Sequence, residues 1–146
     1  MILLKEVTEK SWRDVNLLEV EKEQQHYVCS NVGILARAYV FRPQRSQAKE
    51  IYNDSEIVGL LMYRECDELQ AFVFDQMMID RRYQRNGYGE EAVFKAIELM
   101  RNNAKYSRIV LCYCDGDIAA KNLYTKLGFL HTGEVDEDEI IMALDL

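Results

Sequence analysis

The residue types best suited to chemistry cluster at Gln84-Arg85-Asn86-Gly87-Tyr88-Gly89. An apolar run, Ala71 to Ile79, precedes this stretch and an amphipathic run, Glu90 to Arg101, follows it. That order reads as strand, tight turn, helix. Such a junction points several main-chain N–H groups, together with the positive end of the helix dipole, at one spot. Glycine at 87 and 89 allows positive φ and lets an anion approach the main chain without meeting a Cβ. The chemistry on offer is phosphate or pyrophosphate binding. No Gly-Lys-Ser/Thr follows, so the turn is not a nucleotide-hydrolysing loop, and it does not match Gly-x-Gly-x-x-Gly either.

The elements that must position this turn follow from the hydrophobic period. Residues 2–7 read as a strand. Ser11 is placed to cap a helix along Trp12, Val15, Leu18 and Val20, extended with mixed charge toward Tyr27. Asn31 is placed to cap a second short helix, which Pro43 closes. Ala48–Tyr52 and Glu56–Tyr63 are strands across the turn Asn53-Asp54-Ser55, and Cys66-Asp67-Glu68 turns into the strand Gln70–Ile79. Two successive hairpins mean an antiparallel meander, not a doubly wound parallel sheet. After the glycine turn come a helix, a strand Ser107–Tyr113, a helix Asp117–Leu127 stopped by Gly128, and a closing hairpin, Phe129–Val135 with Ile140–Leu144. The fold class is α+β: three layers, with a mixed, mostly antiparallel central sheet between helices.

Composition narrows the function classes. With 146 residues, 49% apolar and 29% charged, the chain fits one soluble domain, 1–146. No window reaches the roughly 20 apolar residues of a membrane helix, and the N-terminus turns charged too early for a signal peptide, so the expected location is cytoplasmic. The net charge of −7 argues against nucleic acid as a partner and suits a cationic or neutral one. Cys29, Cys66, Cys112 and Cys114 form no Cys-x-x-Cys pair, and His26 and His131 lie apart from them in sequence. Reduced, mostly buried thiols and no metal site are expected.

A second motif, Asn122-Leu123-Tyr124-Thr125-Lys126-Leu127-Gly128-Phe129, follows the glycine turn about thirty-five residues later. Gln-x-x-Gly-x-Gly followed by Asn-Leu-Tyr-x-Lys-Leu-Gly-Phe resembles the GCN5-related N-acetyltransferase (GNAT) superfamily, and so does the order of elements. Within it the chain is most similar to bacterial spermine/spermidine acetyltransferases, through Val7-Thr8, Phe74-Asp75-Gln76-Met77-Met78-Ile79-Asp80 and Thr132-Gly133-Glu134-Val135-Asp136.

The resemblance implies acetyl-CoA as cosubstrate, with no metal, and a small amine such as spermidine or spermine as acceptor. Other acceptors it leaves open are a protein N-terminus and an amino sugar; a non-catalytic CoA-binding module is a third reading. It places the pyrophosphate on Gln84, Arg85, Asn86, Gly87, Tyr88 and Gly89, and the CoA arm along Met77, Met78 and Ile79, with Asp117 and Asn122 nearby. Met77 N–H becomes the donor to the thioester oxygen, and Tyr124 the acid for the departing thiolate; a phenol near pKa ~10 is protonated at neutral pH. Asp75 interrupts an apolar strand and is the candidate base at the amine end, or else an aspartate paired within the core. Glu19, Glu23 and Tyr27 are either the other wall of the amine site or a solvated face. The acidic run Asp136–Glu139 could draw in a polycation. Two positions depart from the family pattern. Glu90-Glu91 stand where Lys, Arg, Ser or Thr is usual and compete with a phosphate for the helix dipole. Asp117 replaces an asparagine; it can cap a helix but cannot donate a hydrogen bond. Dimers are common in the superfamily, and the closing strands offer an edge for a homodimer.

Overall fold

The computed structural model describes all 146 residues. Seven strands, β1 (Ile2–Glu6), β2 (Gln47–Asn53), β3 (Glu56–Cys66), β4 (Ala71–Ile79), β5 (Arg108–Cys114), β6 (Leu130–Asp136) and β7 (Glu139–Asp145), form one sheet in the order β1-β2-β3-β4-β5-β7-β6. Every neighbouring pair is antiparallel except β4 and β5. The helices are α1 (Trp12–Leu17), α2 (Asn31–Val40), α3 (Tyr88–Asn103) and α4 (Ile118–Lys126). None is long and apolar enough to cross a membrane.

The middle strands are apolar on both sides because both sides are covered. Phe72 and Phe74 of β4 join Val93, Ala96 and Met100 of α3 and Tyr124 of α4 in the larger core. Met78 of the same strand packs instead with Leu60, Met62, Val15 of α1 and Ile34 of α2. The result is three layers: α3 and α4, the sheet, then α1 and α2.

The first helix is shorter than its sequence period suggests. It ends at Leu17, with Leu18 extended, and Glu19 to Tyr27 hold only a single 3-10 turn, Lys22–Gln24. Long-range bonds explain the break. Asn31 Nδ2 donates to the carbonyls of Val15 and Leu18, taking the acceptors a further turn would use. Glu19 N–H donates to Asp80 Oδ2 at 3.0 Å, and Arg81 N–H donates to Glu19 O at 2.8 Å. Asn31 is therefore a buried tie inside α2, and Ser30 is the cap, its Oγ accepting from Gly33 N–H. Ser11 precedes α1 without capping it, because its hydroxyl is engaged by Thr8.

Two irregularities shape the centre of the sheet. Along β3 the partners on β4 pass from Phe74 to Gln76, so Asp75 is the extra residue of a β-bulge. Along β5 only Phe72↔Ile109 and Val73↔Val110 pair with β4, after which the two parallel strands separate. From Phe74 to Ile79 one side of β4 is open.

Candidate active site

The opening between β4 and β5 leads into a cavity of about 850 Å³. Its walls are the 3-10 loop and Arg37 of α2 on one side of the sheet, the glycine turn and α4 on the other, and β4 and β5 between.

The direction of β4's main-chain groups follows from one bond. Asp80 N–H donates to Val58 O at 2.8 Å, across to the β3 side. Alternation along the strand then turns Met78 toward β3 as well, and Met77 and Ile79 toward the gap. Gln84 fits this reading, since its Nε2 reaches the outward Ile79 carbonyl at 2.9 Å. The same Gln84 amide pairs reciprocally with Gln24 (2.9 and 3.2 Å), tying the turn to the 3-10 loop across the gap.

The glycine turn presents its main chain. Arg85 and Gly87 both have positive φ, 64° and 80°, and Gly87 immediately precedes α3. None of the N–H groups from Gln84 to Glu90 has an acceptor within the protein. Seven consecutive free donors at a helix start form a cradle for a multiply charged anion. Asn86 serves the turn's shape, its side chain bonding to the carbonyls of Tyr83 and Gln84. Tyr88 lines the cavity while its hydroxyl accepts from Asn53 of β2.

The two glutamates after the turn are held by neighbours. Glu91 Oε1 accepts from the N–H of Ile2 at 3.2 Å, and Glu90 pairs with Lys126 of α4 at 2.7 Å. Of the nearby arginines, Arg81 pairs with Glu19 and Arg82 with Asp80. That leaves Arg85, exposed beside the turn and without an ion pair, as the positive charge at the cradle.

Tyr124 stands under the gap. It is 8% exposed, and its ring meets Phe74 and Phe129 edge-on, with centroids 6.2 and 5.8 Å away. Burial, then the nearby Asp117 and Cys112, raises its phenol well above the ordinary value, so it stays protonated. Its hydroxyl has no protein partner, and the residue lines the cavity. Asp117 caps α4 through Ala120 N–H at 3.1 Å.

Several expectations are corrected here. Asp75 is not a lone desolvated carboxylate: Arg37 Nη2 holds one oxygen at 2.8 Å and Arg64 Nε the other at 2.9 Å. Two guanidiniums satisfy both of its oxygens, which is the alternative of an aspartate paired within the core. Glu19 and Glu23 lie outside the cavity, Glu19 paired with Arg81 and Glu23 exposed; Tyr27 does line it. Asn122 is on the solvent side of α4, away from the cavity lined by its neighbours Ala119, Ala120 and Leu123. Of the four free cysteines only Cys66 is buried.

Cys112 and Cys114 are on the wall of the site. Cys112 keeps solvent contact through the cleft, yet desolvation there, with the adjoining Glu139, pushes its thiol up to about 12. Cys114 is raised in the same sense by desolvation and the nearby acidic groups. Both are thiols, not thiolates, at neutral pH, so neither is an activated nucleophile. Glu139 is a cavity residue that its sequence position, at a polar hairpin tip, does not single out. No three His, Cys, Asp or Glu side chains come together as a metal-ligand set.

A free-donor cradle, a half-open parallel strand pair and a buried phenol between them make a site for a long, phosphorylated acyl carrier. The class is an acyltransferase. The sequence pattern of the acetyltransferase (GNAT) family matches residues 6–129, and the chain belongs to that family. It is an N-acetyltransferase that takes its acetyl group from acetyl-CoA. The spermine/spermidine N(1)-acetyltransferase of Bacillus subtilis (strain 168) is 29% identical over 155 aligned positions, covering 99% of each chain. A probable spermine N(1)-acetyltransferase of Bacillus subtilis subsp. natto is 28% identical over the same span. Among solved structures, spermidine N-acetyltransferase from Vibrio cholerae in complex with CoA and spermine superposes with a TM-score of 0.79 at 16% identity, covering 99% of this chain and 95% of that one.

Proposed function

We propose that the protein acetylates a primary amine of the polyamine type, spermidine or spermine, by direct transfer within a ternary complex. The observation that carries this reading is the alignment of three features along one gap: the unsatisfied N–H run Gln84–Glu90, the outward main chain of Met77 and Ile79, and Tyr124 beneath. The polyamine assignment draws on the two Bacillus relatives, which match over nearly the whole chain.

Acetyl-CoA supplies an activated acetyl group as a thioester. The N–H groups of Arg85 to Gly89 would hold its pyrophosphate, helped by the Arg85 side chain. Met77 and Ile79 would pair with the pantetheine arm as with an added strand. Met77 N–H, which faces the gap, would donate to the charge that develops on the thioester oxygen during attack. Tyr124, kept protonated by burial, would give its proton to the leaving sulfur as the C–S bond breaks, and the proton shed by the amine nitrogen as the C–N bond forms would restore the phenol. Neither cysteine on the wall is needed, because the amine attacks the thioester directly.

Calorimetric titration of CoA, followed by a thiol-release assay over polyamines, amino sugars and peptide N-termini, tests this. Tight CoA binding with fastest turnover on spermidine or spermine is expected. No binding at millimolar CoA overturns the reading, and turnover confined to another amine class overturns the polyamine assignment.

A further inference from the structure

Four carboxylates open on the cavity: Asp75, Glu90, Asp117 and Glu139. Three are already satisfied by stronger partners. Asp75 lies between Arg37 and Arg64, Glu90 is on Lys126, and Asp117 caps α4. Glu139 has only the thiol of Cys112, whose Sγ donates to Oε2 at 3.0 Å. A neutral S–H is a weak donor and leaves the carboxylate's charge uncompensated. No Lys or Arg forms an ion pair with it.

The fold places this carboxylate on the wall of the cavity, at the β5–β7 side of the gap. Glu139 is the first residue of β7 and pairs with Cys114 on β5. Its side chain shares a face with Cys112, and both line the cavity together with Asp75 and Tyr124. Glu139 thus stands on the wall of the gap, on the other side of the sheet from the phosphate cradle. Asp136, Glu137 and Asp138, all exposed at the hairpin tip, extend the negative field outward from it.

We infer that Glu139 is the carboxylate that binds the cationic acceptor, whose ammonium displaces the Cys112 thiol and takes its place on Oε2. An N–H donor carrying a full charge makes a shorter and stronger bond to carboxylate than a thiol does. The exchange breaks and forms hydrogen bonds only. It selects acceptors that carry a retained ammonium besides the free amine that attacks, and a further ammonium of the same molecule would meet the tip carboxylates. This deepens the acetyltransferase reading and rests on it.

The test compares wild type with Glu139→Gln, Glu139→Asp and, as a control for diffuse charge, Glu134→Gln, exposed on the paired strand β6. Spermidine is titrated calorimetrically into CoA-saturated protein, and acetyl transfer is measured in parallel. Glu139→Gln should weaken spermidine binding and raise its KM by roughly tenfold or more, the expected loss of a charge-assisted bond. CoA affinity should be unchanged, Glu139→Asp should recover part of the loss, and Glu134→Gln should change either value less than twofold. Spermidine binding unaltered by Glu139→Gln overturns the assignment, as does an equal effect from Glu134→Gln, which would mean a diffuse field. If the wild type acetylates no amine, the acetyl-transfer reading fails by itself, and the spermidine titration still decides on Glu139.

Discussion

Tyr124 and Asp75 show how polar residues in an apolar setting can end in opposite states, one unpartnered and one fully paired. Tyr124 sits among Phe74 and Phe129 with an unpartnered hydroxyl, so its proton is available to a ligand in the gap. Tyr124→Phe should lower kcat by about a hundredfold while CoA affinity, measured by titration, changes far less. An unchanged kcat would remove the acid role. Asp75 is consumed by its partners. Its side chain is 6% exposed and the Arg64 side chain 15% exposed, so Asp75→Asn strands a guanidinium that is largely out of water. The expected result is a loss of about 2 kcal/mol in thermal or urea melts, discounted for the more exposed Arg37. The variant's residual activity should keep the wild-type pH profile. Disappearance of the profile's acidic limb would restore Asp75 as a base.

Among the elements, the β3–β4 hairpin has the least tolerance. At Gly59 a Cβ would lie 2.4 Å from the carbonyl oxygen of Met78 and 2.9 Å from Ile79 Cδ1. Main chain must move to admit it, and the stretch that moves is the one whose other edge faces the gap. Gly59→Ala should cost about 2 kcal/mol, visible as a drop of several degrees in Tm. CoA binding should weaken together with stability; a variant that melts like wild type would show the strands part more easily than the contact implies. Helices, strands and the glycine turn were legible because each is written in local period and turn chemistry. The α1 boundary was not. Trp12, Val15, Leu18 and Val20 keep helical spacing, but Asn31, Asp80 and Arg81 claim the main-chain groups that would continue the helix, and no local pattern announces partners so distant in sequence. The same limit hid Glu139, whose meaning depends on Cys112 across a strand pair, and the arginines that satisfy Asp75.

For the whole molecule, Asp80 is the knot between the two sides of the site. It is 1% exposed and accepts from Glu19 N–H, Arg82 N–H and Arg82 Nε, fastening the 3-10 loop to the glycine turn. Desolvation alone would raise its pKa, but these hydrogen bonds prevail and hold the carboxyl below the ordinary carboxylate range. A folded-state pKa beneath the unfolded one adds stability that is complete above the unfolded value and is lost as pH falls through the folded one. Asp80→Asn should therefore be less stable than wild type at pH 7, and the difference should shrink as melts are repeated toward pH 3. A gap independent of pH would show that shape, not charge, does the fastening.

The sheet is also unfinished. Only two residue pairs join its β1–β4 half to its β5–β7 half, and beyond them β4 offers an unpaired edge to whatever lies in the gap. A ligand arm bonded there would act as a temporary eighth strand, stitching the halves together. Folding and cosubstrate supply then become one equilibrium. At free ligand about a hundred times Kd, the closed sheet gains roughly 2.7 kcal/mol, a sizeable part of a small protein's stability.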